Sequence, residues 1–367
     1  MQSLPIHTAD QSAGPLQPIL AVSLPALKAW LSAHHLPAWQ ANSIRHWILQ
    51  RRAESFAAMT DLSKDARSAL ESAFVPLGSQ VLVSQTAADG TCKLLLRLWD
   101  GESVECVMIP DEDRRTACIS TQVGCGMGCV FCASGLNGVL RNLQPGEILE
   151  QLIRLRNALP KGERLTNIVV MGMGEPLANL DALLEALEVA GDPKGLGIGA
   201  RHMTISTVGL PAKMQRLAAL GKQYHLAVSL HAPDDALRQA IVPTNTGIDE
   251  ILTAADAFYA RTGRQVTFEY VLLRDLNDQK HHAEALARLL GSRPAHINLI
   301  PFNEVEGLPY RRPTDAALKE FIDVLHHAGL SVKVRKRKGS EIEAACGQLR
   351  RRQQIADTMV RAAQVTP

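Results

Sequence analysis

A chain of 367 residues with a hydrophobic fraction of 46% can bury one large catalytic core and still carry a small appended module. A charged fraction of 21% and a formal net charge of +2 exclude a disordered chain and a uniformly basic one, so any nucleic-acid contact has to come from local patches. No apolar run approaches the roughly 18–20 residues of a membrane span, and the first residues lack the basic start and apolar block of a secretory signal. The odd number of cysteines, seven, four of them between Cys118 and Cys132, fits metal ligation in a reducing compartment. The expectation is a cytoplasmic monomer with no membrane partner.

In chain order, residues 1–22 are rich in Pro, Gln and Ser and predict a loose lead-in. Residues 23–80 predict a small helical module. Ser23 suits an N-cap, Pro25 a first turn, and Leu24, Leu27 and Leu31 recur at helix spacing. A second helix runs through Ala41, Ile44, Trp47 and Ile48, and a third follows Ser63 with Ala66, Ala69, Leu70 and Ala73. Arg45, Arg51, Arg52 and Lys64 suit either a solvated face or a surface touching RNA phosphates. Over residues 81–117 the period changes to two, which predicts a bridging β-element with turns at Ala88–Gly90 and Asp100–Gly101. Cys92 and Cys106, on these strands, read as small buried hydrophobes.

From 118 to 340, strands alternate with helices. Ile119–Val123, Asn167–Met171, His202–Ser206, Tyr224–His231, Gln265–Leu272, His296–Ile300 and Ser331–Arg335 read as strands. Six or seven such repeats predict an α/β fold, an incomplete (β/α)6 barrel with helices outside a parallel sheet. Functional groups are then expected at the C-terminal ends of the strands. Residues 341–367 form a separate C-terminal segment.

The chemistry centres on Cys125-Gly-Met-Gly-Cys129-Val-Phe-Cys132, a C-x3-C-x2-C loop. Three soft thiolates on one short loop can hold three irons of a 4Fe-4S cluster. The next cysteine is Cys346, so one iron would lack a protein ligand and stay open to a small molecule. Phe131 would shield the cluster from water. Zinc, which favours four ligands and paired C-x2-C knuckles, fits this spacing less well. At successive strand ends sit Gly172-Met-Gly174-Glu175, Ser206-Thr207, Ser229-Leu230-His231 and Asn303. Each suits a structural hydrogen bond taken singly; together, on one face, they suit a ligand pocket. Cys346, in Ala344-Ala-Cys-Gly-Gln-Leu349, suits either a buried small side chain or a loop tip reaching an active site.

The cysteine spacing with an aromatic before its last member resembles the radical S-adenosylmethionine (radical SAM) superfamily. The runs Gln122–Cys125, Met171–Leu177, Ser206–Pro211, Ser229–Pro233, Pro301–Asn303 and Ala344–Leu349 resemble the RlmN/Cfr family of radical SAM RNA adenine methyltransferases. The resemblance implies a radical SAM barrel with one 4Fe-4S cluster on Cys125, Cys129 and Cys132, and SAM at the open iron. It implies SAM contacts at Gly174, Glu175, Ser206, Ser229, Leu230, His231 and Asn303. It implies methylation of an adenine ring carbon in 23S rRNA, carbon-2 ahead of carbon-8, with transfer RNA as a further substrate and flavodoxin or ferredoxin as electron donor. Two SAM molecules would serve: one methylates Cys346, and the other yields the radical that activates this methyl group for transfer. The family roles carry over as Cys346 the methyl carrier, Cys118 the resolving thiol and Glu105 the base, and with them comes the expectation of a disulfide bond. On its residues alone Glu105 also suits a solvated strand face. Arg114-Arg115, Arg311-Arg312, Arg335–Lys338 and Arg350–Arg352 suit phosphate contacts or plain surface charge. Two other functions stay open: a radical SAM enzyme or activase acting on a substrate other than RNA, and a non-catalytic iron–sulfur or RNA-binding protein.

Overall fold

A computed structural model describes residues 16–291 and 293–349. Most of the lead-in and the basic run Arg350–Arg352 lie outside the described residues. The chain divides into two compact units after Gly78.

In the first unit, strand β1 (Gln17–Pro18) is followed by helices α1 (Leu24–Ala33), α2 (Gln40–Leu49) and α3 (Lys64–Ala73), then strand β2 (Phe74–Val75). The Ser23 hydroxyl accepts from the Ala26 amide and the Ser63 hydroxyl from the Ala66 amide, so two helices start where a side chain meets an orphan N–H. Leu27, Leu31, Ile44, Ile48, Ala66 and Leu70 are fully buried and form this unit's core. Residues 17–18 are not loose. They pair in parallel with Phe74 and Val75, which closes the unit between its two ends.

The second unit opens with an antiparallel meander of β3 (Gln80–Thr86), β4 (Cys92–Arg97), β5 (Ser103–Asp111) and β6 (Arg114–Cys118). Next come β7 (Gln122–Gly124) and β8 (Val139–Asn142), a separate antiparallel pair that brackets the cysteine loop. Then α4 (Pro145–Ala158), β9 (Asn167–Val170), α5 (Leu180–Gly191), β10 (Met203–Thr207), α6 (Pro211–Ala219) and β11 (His225–Ser229) alternate. After α7 (Asp235–Ile241) and α8 (Ile248–Thr262) follow β12 (Val266–Leu272), α9 (Lys280–Leu290), β13 (Ala295–Pro301), α10 (Asp315–His327) and β14 (Ser331–Val334).

These strands form one sheet of ten in the order β14-β13-β12-β11-β10-β9-β6-β5-β4-β3. From β6 through β14 every pairing is parallel, as expected where helices return the chain, and the result is an incomplete barrel. The strands are near-continuously apolar: Ile168, Ile205, Leu226, Val228, Phe268 and Ile297 are all buried. The meander extends the same sheet rather than bridging to it.

Two expectations are corrected. The strand expected at Ile119–Val123 is not a barrel strand. β6 ends at Cys118, Ile119 continues hydrogen bonding to Val169, and the chain then leaves to form β7. Helix α7, not expected, is capped by the Asp234 carboxylate, which accepts from Leu237 N–H at 2.9 Å. Among the described residues, no helix is long and apolar enough to cross a membrane.

Candidate active site

The cysteine loop is held at both ends and from behind. Cys125 N–H donates to the Gly138 carbonyl at 3.0 Å, and Val130 N–H to that of Ile241 at 3.0 Å. Gly124 has φ +81°, and a Cβ there would lie 2.1 Å from the Gly138 oxygen, so only glycine permits the turn into the loop. Met127, Cys129, Val130 and Phe131 pack on a buried apolar cluster that includes Val208, Ile241, Val271 and Phe302. Cys125, Cys129 and Cys132 then line one cavity. Burial pushes the Cys125 thiol up to about 11 and raises Cys129 and Cys132 as well, so cationic iron is what would draw out the thiolates. Among the described residues, no three His, Cys, Asp or Glu side chains converge as one bare ion would require.

Cys346 lines the same cavity. Its segment is stitched to the cysteine loop. Ala133 N–H donates to the Gly347 carbonyl at 2.8 Å, and Ser134 hydroxyl to that of Leu349 at 2.6 Å. Asn303 Nδ2 donates to the Cys346 carbonyl at 3.2 Å, and Gln348 Nε2 to that of Glu304 at 2.8 Å. A residue separated from the loop by most of the barrel is thus fixed beside it.

The strand ends supply the rest of the wall: Gly174, Glu175, Ser206, Ser229 and His231. Gly174 has φ +101°, and a Cβ would strike the Gln122 side chain. Glu175 is 2% exposed. Its Oε1 accepts from Leu177 N–H and its Oε2 from Val208 N–H, and burial outweighs these bonds to push its carboxyl up. Among the described residues no basic side chain pairs with it. A buried carboxylate without a cation, on the wall of a cavity, fits the ammonium group of SAM.

His231 adopts φ +62°, and its Nδ1 accepts from Val271 N–H at 3.0 Å. Its proton therefore sits on Nε2. Burial and the Arg238 charge hold its pKa down at about 3, so it stays neutral. Its ring meets that of Phe131 edge-on at 4.8 Å. Leu230 is fully buried core and does not line the cavity, and Asn303 lines the neighbouring pocket instead.

Two wall residues escaped the sequence reading. Glu269, buried on β12, has its carboxyl pushed up by burial and accepts from Asn298 Nδ2 at 2.8 Å. Arg335 was assigned to a surface patch, yet it lines the cavity, where the Cys346 sulfur, then Glu269 and Cys118, favour its charged form. A lone charge inside an apolar strand was the available signal for Glu269.

Cys118 ends β6 and does not line the cavity. Burial and the nearby Cys346 sulfur push its thiol up to about 12. The expected disulfide is not seen in this structure, where all seven cysteines are free thiols. Glu105 is not on a solvated face. It is 1% exposed and lies 3.2 Å from Lys93 Nζ. Ser120 hydroxyl donates to the Glu105 carbonyl at 2.7 Å and accepts from Met173 N–H at 2.8 Å, which ties β5 to the Gly172–Glu175 wall.

The fold and this cavity define a radical SAM enzyme, and the Radical SAM superfamily model matches residues 119–289. The model of the ribosomal RNA large subunit methyltransferase N-terminal domain matches residues 18–75. A protein of Rhodopirellula baltica named "Probable dual-specificity RNA methyltransferase RlmN" is 52% identical over 96% of each chain. One of the same name from Thermosynechococcus vestitus is 43% identical over 92% of this chain and 99% of that one. The crystal structure of a radical SAM methyltransferase from Sphaerobacter thermophilus superposes with a TM-score of 0.87 at 40% identity, over 91% of this chain and 99% of that one. The chain belongs to the RlmN-like family of radical SAM RNA methyltransferases. Membership implies a 4Fe-4S cluster and SAM.

Proposed function

We propose that the protein methylates carbon-2 of an adenine in 23S rRNA, and in transfer RNA, through an S-methyl group carried on Cys346. The observation that supports this most is the Cys346 segment, hydrogen-bonded to the cysteine loop and lining one cavity with it. Cys125, Cys129 and Cys132 would hold the cluster, leaving one iron for SAM, with flavodoxin or ferredoxin as the electron source. When bound, the cluster supplies the electron that splits the SAM sulfonium and so makes an unreactive C–H bond available.

The residues then divide the remaining work. Glu175 binds the SAM ammonium; Ser206, Ser229 and neutral His231 offer hydrogen bonds around it. Asn303 holds the Cys346 backbone toward the cavity. Cys346 carries the methyl on its sulfur and, through it, holds the RNA base. Glu105 takes the proton that leaves the ring carbon. Cys118, as its thiolate, attacks the Cys346 sulfur: a Cys118–Cys346 disulfide forms as the sulfur–carbon bond breaks, the carbon keeps the electron pair and takes a proton to complete the product's methyl group, and an external dithiol reduces the disulfide before the next turnover. The apolar packing against the loop shields that side of the cluster site from water.

The test is Cys346→Ala in a strain lacking the native enzyme, with mass spectrometry of adenosines from 23S rRNA and transfer RNA. The wild-type chain should restore 2-methyladenosine and Cys346→Ala none. Recovery of 8-methyladenosine would correct the position, and methylation by the alanine variant would overturn the role of Cys346.

A further inference from the structure

We propose that Lys93 is a positioning residue that fastens the base Glu105 to the backbone of the segment carrying Cys346. The proposal deepens the reading above and rests on its assignment of those two residues.

On β4, Lys93 lies opposite Val107 of β5, and Glu105 stands two positions earlier on that strand, so their side chains share a face. Lys93 Nζ is 3.2 Å from Glu105 Oε1, with side chains 3% and 2% exposed. The same Nζ donates to the Glu343 carbonyl at 3.3 Å, three residues before Cys346. One buried ammonium therefore reaches both the carboxylate and the loop.

Two features argue that this is more than a satisfied buried pair. Glu343 has φ +51°, a left-handed conformation that a non-glycine residue holds only when its surroundings fix it. Its carbonyl receives a charge-assisted bond, one of the stronger kinds. Second, the Glu105 backbone is linked through Ser120 to the amide of Met173, a buried residue between the cavity-lining Gly172 and Gly174. Glu105 is thus hydrogen-bonded, through Ser120 and through Lys93, to two segments that contribute residues to the cavity, and Lys93 supplies the link to the one bearing Cys346.

The test uses the full-length, cluster-loaded protein and two readouts. The first is amide hydrogen exchange in residues 340–346. Lys93→Met/Glu105→Gln removes both charges and leaves no orphan carboxylate, so it folds where Lys93→Met alone risks failing. Exchange in 340–346 should quicken about tenfold or more in this variant, while β4 and β5 keep their protection. Lys93→Arg should stay within about twofold of the parent, because guanidinium replaces both bonds. The second readout is the share of S-methylated chains that retain covalently bound RNA. It should rise in Lys93→Met as proton removal slows, and fall back in Lys93→Arg.

Unchanged exchange in the double variant would overturn the proposal, as would parental turnover by Lys93→Met without adduct. Methylation surviving Cys346→Ala would instead sink the underlying reading, and the exchange result would still decide whether Lys93 holds the loop.

Discussion

At the mouth of the parallel strands Glu175 is 2% exposed and unpaired by any basic side chain among the described residues, whereas on the antiparallel flank Glu105 is 1% exposed and 3.2 Å from Lys93. Glu105 sits on strand β5 and Glu175 in the loop after β9, yet the loop carboxylate is left short of a cation and the strand carboxylate is given one. A buried charge lacking its counterpart is costly to the fold, so the deficit at Glu175 marks where a cationic ligand belongs. The pair on the flank is complete within the chain and marks a part that must keep its geometry.

Breaking the completed pair should have the larger effect on stability. Lys93→Met leaves Glu105 buried and uncompensated, which typically costs about 3–5 kcal/mol. Urea denaturation should show a loss of that order, and Lys93→Met/Glu105→Gln should recover much of it. A loss equally large in the double variant would mean that packing, not charge, is what Lys93 contributes.

At the other carboxylate, Glu175→Gln should separate binding from stability. SAM affinity of the loaded protein, measured by calorimetry, should fall about 10- to 100-fold with loss of a charged hydrogen bond. Thermal stability without SAM should hold or rise. The sign follows from the raised carboxyl: the folded state binds the proton more tightly than the unfolded chain. Its stabilising contribution is complete below the ordinary value of 4.5 and is lost as pH rises through the higher folded value. Melting curves of Glu175→Gln across that range should lack this decline.

The helical unit serves as the control. Ser63→Ala removes the side-chain cap of α3 and should cost about 1 kcal/mol in denaturation. SAM affinity should not change, since the residue belongs to the other compact unit.

Periodicity and spacing made much of this legible. The strand–helix alternation after Cys132 and the three-cysteine loop depend on local pattern, which a sequence displays directly. What stayed hidden was set by partners distant in sequence. Ile119–Val123 has the alternation of a strand, but pairing with Val169 ends at Ile119 and pairing with β8 takes over at Gln122. Arg335 heads a run of four basic residues that reads as surface, and only its place after β14 turns it into the cavity. No local pattern singles out Lys93; its role depends on Glu105, on the neighbouring strand, and on Glu343, far away in the chain.

The central claim is that Cys346 carries the methyl group. Incubating the cluster-loaded protein with SAM bearing a deuterated methyl group, then mass spectrometry of the peptide spanning residue 346, tests it directly. The account predicts the labelled methyl on the Cys346 sulfur and its transfer to adenine when RNA is added. RNA that becomes methylated while Cys346 never bears the label would contradict it.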